Sequence, residues 1–263
     1  MVSLLTSLST RANLLLSGAN MEELTPRQAH ILKILIEEYI QNAEAVGSET
    51  LEKKYNLGVS PATIRNEMAA LTRVGYLKQP HASSGRIPTS RALRFYVQQL
   101  MEERQLSVAE EATAQESIRG AQNDVDKLMR ETTHALAAAT RTLSVGALER
   151  EDMVWYAGYA HILDMPEFYN IDVTAHVYAL LDEVKRIREL FFERLSSDPV
   201  SILFGEELGW PYFEPVGIVA TRFVAGERNC SLGVIGPARL PFSHIIPTVR
   251  YYGGLLSQAL NKL

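Results

Sequence analysis

The residues best suited to chemistry lie in one short run, Ser60, Pro61, Ala62, Thr63, Ile64, Arg65 and Asn66. The chemistry they suit is base reading. An arginine fork matches guanine O6 and N7, and an asparagine amide matches adenine N6 and N7. Ala62 is small enough to let a backbone approach, Thr63 flanks it, and Arg73 further on suits a phosphate. Arg65 alone is more often a solvated charge than a base reader. The reading therefore needs the elements around it.

Those elements begin with a helix. On residues 60–75, Ser60 and Pro61 supply a cap followed by a proline at the first helical position. Ile64, Met68 and Leu71 then share one face, with Ala62, Asn66, Ala69 and Arg73 opposite. Upstream, Thr25 and Pro26 open a helix over residues 26–42, with Ile31, Leu32, Leu35 and Tyr39 as its apolar stripe. A shorter helix over residues 48–56 carries Leu51 and Tyr55 inward, and Gly58 makes the turn into the third helix. Gly75 ends that helix. Residues 76–79 and 86–88 read as two short strands around a flexible loop, His81-Ala82-Ser83-Ser84-Gly85. A helix-turn-helix followed by such a hairpin is a winged helix. His81, Ser83 and Ser84 sit in the wing, and Arg86 at its base suits the minor groove or the backbone. His81 is read as phosphate-proximal or solvated, not as a metal ligand. A fourth helix is expected from Thr89 to about residue 104.

Charge supports the same face. Residues 53–94 hold eight basic residues (Lys53, Lys54, Arg65, Arg73, Lys78, Arg86, Arg91, Arg94) and one acid, Glu67. That segment is +7 in a chain of 263 residues whose net charge is −5. A basic block in an acidic chain points to a local polyanion-binding face. Helix-turn-helix units also occur as plain packing motifs, so charge, wing and small outer-face residues have to be taken together.

The remainder is read more coarsely. Residues 105–148 give a long helix broken near Gly120, with Val125, Leu128, Met129, Thr132, Leu136 and Leu143 on one face; core helix and dimer seam remain open as its role. Residues 153–196 read as further helix with a break at Pro166. Three strands are expected at 199–204, 216–224 and 230–235, and a final helix at 245–260. The fold class is thus α+β and helix-rich. An extension covers 1–20, a winged-helix domain 21–104, a helical linker or dimerisation segment 105–150, and a C-terminal regulatory or dimerisation domain 151–263 with a small antiparallel sheet. Residues 1–20 lack a basic leader region and are expected to be dispensable for DNA binding.

No catalytic, cofactor or metal site is expected. There is no P-loop, no GxGxxG and no HExxH, and His161 and His176 lack partners at ligand spacing. The one cysteine, Cys230, excludes an intramolecular disulfide and reads as a small buried hydrophobe. No apolar run reaches membrane-spanning length.

The run LEKKYNLGVSPATIRNEMAALTRVGYLKQPHASSGRIPTSRALRFYVQQLM closely resembles the N-terminal pattern of the heat-inducible transcription repressor family, HrcA. The later run ILFGEELGWPYFEPVGIVATRFVAGERNCSLGVIGPARLPFSHIIPTVRYY resembles its C-terminal part. The resemblance implies a winged-helix repressor of chaperone genes, and the single cysteine fits a reducing cytoplasm. It implies an inverted-repeat operator bound as a homodimer, and control by the chaperonin. It also implies a GAF-like regulatory half carrying an inserted domain. Here that half is short, and its first strands and most of the insert are expected to be absent. The DNA-binding residues expected are Ser60, Ala62, Thr63, Arg65, Asn66, Arg73, His81, Ser83, Ser84 and Arg86. A small-molecule-responsive winged-helix repressor is the alternative, and an enzyme is the least supported reading.

Overall fold

A computed structural model describes residues 24–121, 124–149, 153–196 and 199–263. The extension 1–20 lies outside these residues. In the N-terminal half, α1 (Pro26–Asn42), α2 (Ser48–Tyr55) and α3 (Pro61–Arg73) precede the hairpin β1 (Leu77–Lys78) and β2 (Ile87–Pro88). The start of α1 is fixed by a capping box: Thr25 Oγ1 accepts from Gln28 N–H at 3.2 Å, and Gln28 Oε1 accepts from Thr25 N–H at 3.1 Å. Ser60 caps α3, accepting from Thr63 N–H at 3.2 Å, with Pro61 next. The inner faces pack as their spacing predicts, with Ile31, Leu32, Leu35, Leu51, Ile64, Met68 and Leu71 buried. A short antiparallel bridge, Val46 to Arg86, ties the segment before α2 to the wing.

The fourth helix is shorter than expected. Only Ser90–Phe95 is α-helical (α4), and Tyr96–Leu100 widens into a π-helical turn. Beyond it lie α5 (Val108–Arg119) and α6 (Val125–Thr140). Arg141 then takes a left-handed conformation at φ 52° and ends α6. Leu143 therefore does not continue the helical face. It opens β3 (Leu143–Leu148), which is buried along its whole length. Its distance of seven residues from Leu136 satisfies helical periodicity by coincidence. Residues 153–157 are likewise a strand, β4 (Met153–Ala157), where helix was expected. The β-branched and aromatic content of Val154, Trp155 and Tyr156 decides it.

Next come α7 (Tyr159–Ile162), a 3-10 turn at Pro166–Tyr169, α8 (Ile171–Asp182) and α9 (Val184–Arg188). They are followed by β5 (Ser201–Phe204), α10 (Gly205–Leu208), β6 (Val216–Ala225), β7 (Arg228–Pro237) and α11 (Phe242–Leu260). Gly253 and Gly254 do not interrupt α11. Gly253 instead lets the helix lie on the sheet, since a Cβ there would meet Thr221 Cγ2 at 2.4 Å.

The sheet is fully antiparallel in the order β4-β3-β7-β6-β5. It is not limited to the three strands expected, because β3 and β4 complete it at one side. Side-chain alternation feeds two cores. Leu143, Val145, Ala147, Ile218 and Ile235 face Val177, Leu180, Ile187 and Phe191. Leu148, Val219, Leu232 and Val234 face α6 and α11, in a core continuous with that of the winged helix. Cys230 is buried in β7, as its type predicts. The whole is α+β and helix-rich.

Candidate nucleic-acid interface

The outer face of α3 is open. Ser60, Ala62, Arg65, Asn66 and Arg73 are exposed, and Thr63 is partly so. Arg65, Asn66 and Arg73 form no side-chain hydrogen bond or ion pair with any described residue. The single acid of the basic segment is turned off this face. Glu67 accepts from Gln28 Nε2 at 3.1 Å and pairs with Arg27 at 3.5 Å, both on α1. The helix thus presents donors and small groups without a competing carboxylate of its own.

A polar pin joins α1 to α2, the two helices against which α3 packs. Glu38 is almost fully buried on α1. It accepts from Lys54 Nζ at 2.6 Å, Tyr55 Oη at 2.7 Å and Asn42 Nδ2 at 2.6 Å. Lys54, Tyr55 and Asn42 outweigh burial and hold the Glu38 carboxyl below its usual value of 4.5, the Lys54 hydrogen bond being the largest cause. Burial, then Glu38 itself, pushes the Tyr55 phenol up to about 12.

The wing is built from its own polar groups. Ser84 Oγ donates to His81 O at 2.7 Å and accepts from His81 N–H at 3.0 Å. Gln79 Nε2 donates to Ala82 O at 2.9 Å and Ser84 O at 3.0 Å. The loop expected to be flexible is therefore closed by internal hydrogen bonds. Ser84 is occupied with shaping the tip, while His81 and Ser83 stay exposed on it. Arg86 is half-buried, and its Nε donates to Thr72 Oγ1 of α3 at 3.0 Å. Its backbone exchanges two bonds of 2.9 Å with Val46. Gly85 is required at this crossing, since a Cβ would lie 2.4 Å from the Val46 carbonyl.

Together α3, the start of α2 and the wing enclose a cleft of about 620 Å³. Arg65 and Arg86 line it, with Gln79, Ser83 and Ser84 from the wing and Ser48, Glu49 and Thr50 from α2. Sequence reasoning missed Gln79, Thr72 and the α2 residues. The Val46–Arg86 bridge, between residues forty apart, brings the wing beside the start of α2.

The basic block is divided. Lys54 is spent on Glu38. Arg91 Nη1 donates to Val74 O at 2.9 Å and lies over the Tyr76 ring. Lys78 pairs with Glu214 and Arg94 with Glu207, both in the C-terminal half. The cations left to the outer face are Lys53, Arg65 and Arg73, with Arg86 in the cleft. Among the described residues no group of three or more His, Cys, Asp or Glu side chains could hold a metal, and no helix is long and apolar enough to cross a membrane.

A winged helix with a free polar recognition helix, carried on a helix-covered sheet, defines a DNA-binding transcription regulator. The chain belongs to the HrcA family of transcription repressors. Residues 23–102 match the family description "Winged helix-turn-helix transcription repressor, HrcA DNA-binding", and residues 84–246 match "HrcA protein C terminal domain". The Heat-inducible transcription repressor HrcA of Symbiobacterium thermophilum is 46% identical over 337 residues, covering 90% of this chain and 98% of that one. Its counterpart in Clostridium perfringens strain SM101 is 49% identical over 321 residues, covering 84% and 94%. Both alignments are longer than this 263-residue chain, so these relatives hold residues that it lacks. A crystal structure at 2.2 Å of a protein described as hypothetical shares the fold, with a TM-score of 0.75 at 20% identity, covering 91% of this chain and 99% of that one.

Proposed function

We propose that this repressor binds an inverted-repeat operator upstream of chaperone genes as a homodimer, in the cytoplasm, and that the chaperonin modulates its activity. Residues 21–104 form the DNA-binding domain. Residues 105–263 serve dimerisation and regulation. The observation that carries the reading is the unpartnered α3 face beside the wing, with Glu67 withdrawn onto α1. Heat-inducible repression is what the relatives' names state, and the resemblance of both halves supports bringing it to this chain.

In this reading α3 enters the major groove. Arg65 reads guanine, Asn66 reads adenine, Ala62 and Thr63 allow close approach, and Ser60 and Arg73 meet the backbone. His81, Ser83, Ser84 and Arg86 place the wing on the neighbouring backbone or minor groove. Two protomers set their α3 helices on one DNA face, separated by whole helical turns of roughly 34–36 Å each. Heat releases repression through loss of the active fold or through diversion of the chaperonin to other unfolded clients. The test is binding to an inverted repeat from upstream of a chaperone operon, with and without chaperonin. Equal affinity for a scrambled duplex, or indifference to chaperonin, removes the corresponding part of the proposal.

A further inference from the structure

Two cations of the basic block, Lys78 and Arg94, have their partners in the other half of the molecule. Arg94 Nη2 donates to both oxygens of Glu207, at 2.6 and 2.7 Å. Lys78 Nζ meets Glu214 at 2.6 Å, and Ser90 Oγ donates to Glu206. Deeper in the seam stands Arg239, just past the end of β7. Its Nη1 donates to Ile40 O, near the C-terminus of α1, at 2.7 Å. Its Nε and Nη2 hold Glu167 of the 3-10 turn at 2.6 and 3.1 Å. Both side chains are only 13% exposed. One guanidinium thus joins the winged helix, the sheet and the helical layer on the far side of the sheet. A cation suits the carbonyl end of a helix, where the dipole is negative.

The seam is otherwise thin. Among the described residues, no helix or strand of the winged helix packs broadly against one of the sheet half. A pocket of about 290 Å³ within it is lined by Tyr39, Leu93, Pro215 and Ala238. The chain connecting the halves is anchored on α11, through Arg250 to Glu103 at 2.6 and 2.8 Å and Arg104 N–H to Ser243 O at 2.8 Å. The apolar core runs on between the two halves, so the polar contacts of the seam add to packing that already joins them. The half-exposed rim pairs contribute little singly. Arg239 with the rim pairs acting together supplies the polar part of what orients the reading head, beside the shared core.

We propose that Arg239, braced by Glu167, and the Arg94–Glu207 and Lys78–Glu214 pairs form a lock that holds the winged helix in the DNA-competent orientation, and that opening this seam uncouples the reading head. The α3 face is open in this closed state, and DNA binding is assigned to it. The DNA arm of the test rests on the function proposed above; the scattering arm does not. The probes are an inverted-repeat duplex selected from a random pool with the full chain, and a scrambled duplex of equal length.

The variant Glu207→Gln/Glu214→Lys makes the chain more positive and keeps a side-chain acceptor for Phe204 N–H, which Glu207 caps at 3.1 Å. Electrostatics alone tightens its binding to every duplex. The lock predicts the opposite on the inverted repeat, a loss of about tenfold for each reading head if the competent fraction falls to a tenth. Small-angle scattering of the DNA-free chain should show a larger maximum dimension. Lys78→Glu combined with Glu214→Lys should restore compactness relative to Glu214→Lys alone. Arg239→Gln should open the seam furthest; should it fail to fold, the rim variants carry the test. Unchanged or tighter inverted-repeat binding by the rim variant overturns the lock, as does unchanged scattering. If the wild-type chain shows no preference for an inverted repeat, the functional reading fails, and scattering alone decides whether the lock exists.

Discussion

Arg65 and Asn66 lie on a helix face where no described residue partners their side chains. Each bidentate base contact contributes about 1–3 kcal/mol of discrimination. Arg65→Ala and Asn66→Ala should each lose that amount on the operator and change little on random DNA. Equal losses on both duplexes, in titrations at fixed salt, would refute base reading. Lys53 is a different test. It is exposed, whereas its neighbour Lys54 is consumed by Glu38. Lys53→Ala should reduce the slope of log K against log salt by about 1 if it meets a phosphate. An unchanged slope would remove it from the interface. Arg86 carries two roles, since its side chain lines the cleft and also braces Thr72. Arg86→Ala should therefore lower wing stability as well as affinity.

At the scale of elements, the wing and the helix pair are held by few groups. Gly85 passes against the Val46 carbonyl with no room for a Cβ. Gly85→Ala should cost roughly 1–3 kcal/mol by overpacking and should displace Arg86. Urea unfolding and operator affinity measure the two effects, and a wild-type midpoint would contradict the crossing. The Glu38 network makes stability depend on pH at both ends. Because its folded pKa is lowered, Glu38 contributes stability above pH 4.5 and loses it as pH falls through the lowered value. Tyr55 is raised to about 12, so its contribution is complete below pH 10 and is lost as pH climbs toward 12. Glu38→Gln should flatten the acid limb of stability against pH. An acid limb identical to wild type would show that Glu38 is not its source.

For the whole molecule, the proposed homodimer gives the sheet half the task of presenting two reading heads. A dimer that matches half-sites on one DNA face tolerates whole-turn spacing changes better than half-turn ones. Inserting about 5 base pairs between the half-sites should weaken binding far more than inserting about 10. Equal effects, measured by gel shift, would argue that the protomers bind independently. The halves share one continuous apolar core as well as the polar seam, so the reading head is held by packing and by charge together.

The sequence by itself determined the winged helix. Ser60 and Pro61 start α3, Gly75 stops the chain after it, and Ile64, Met68 and Leu71 define its inner face; each signal is local and acts within a few residues. It also determined which outward residue types could read bases. Tertiary structure decided the rest. Whether Leu143 continued a helix depended on Arg141 adopting a left-handed conformation, and β3 is fixed by partners on β4 and β7, the latter some ninety residues away. Which cations of the basic block remain free for DNA was likewise settled at a distance, because Glu207 and Glu214 reach Arg94 and Lys78 only across the seam. Counting charges along the chain records their number, whereas the fold determines which of them already have a partner.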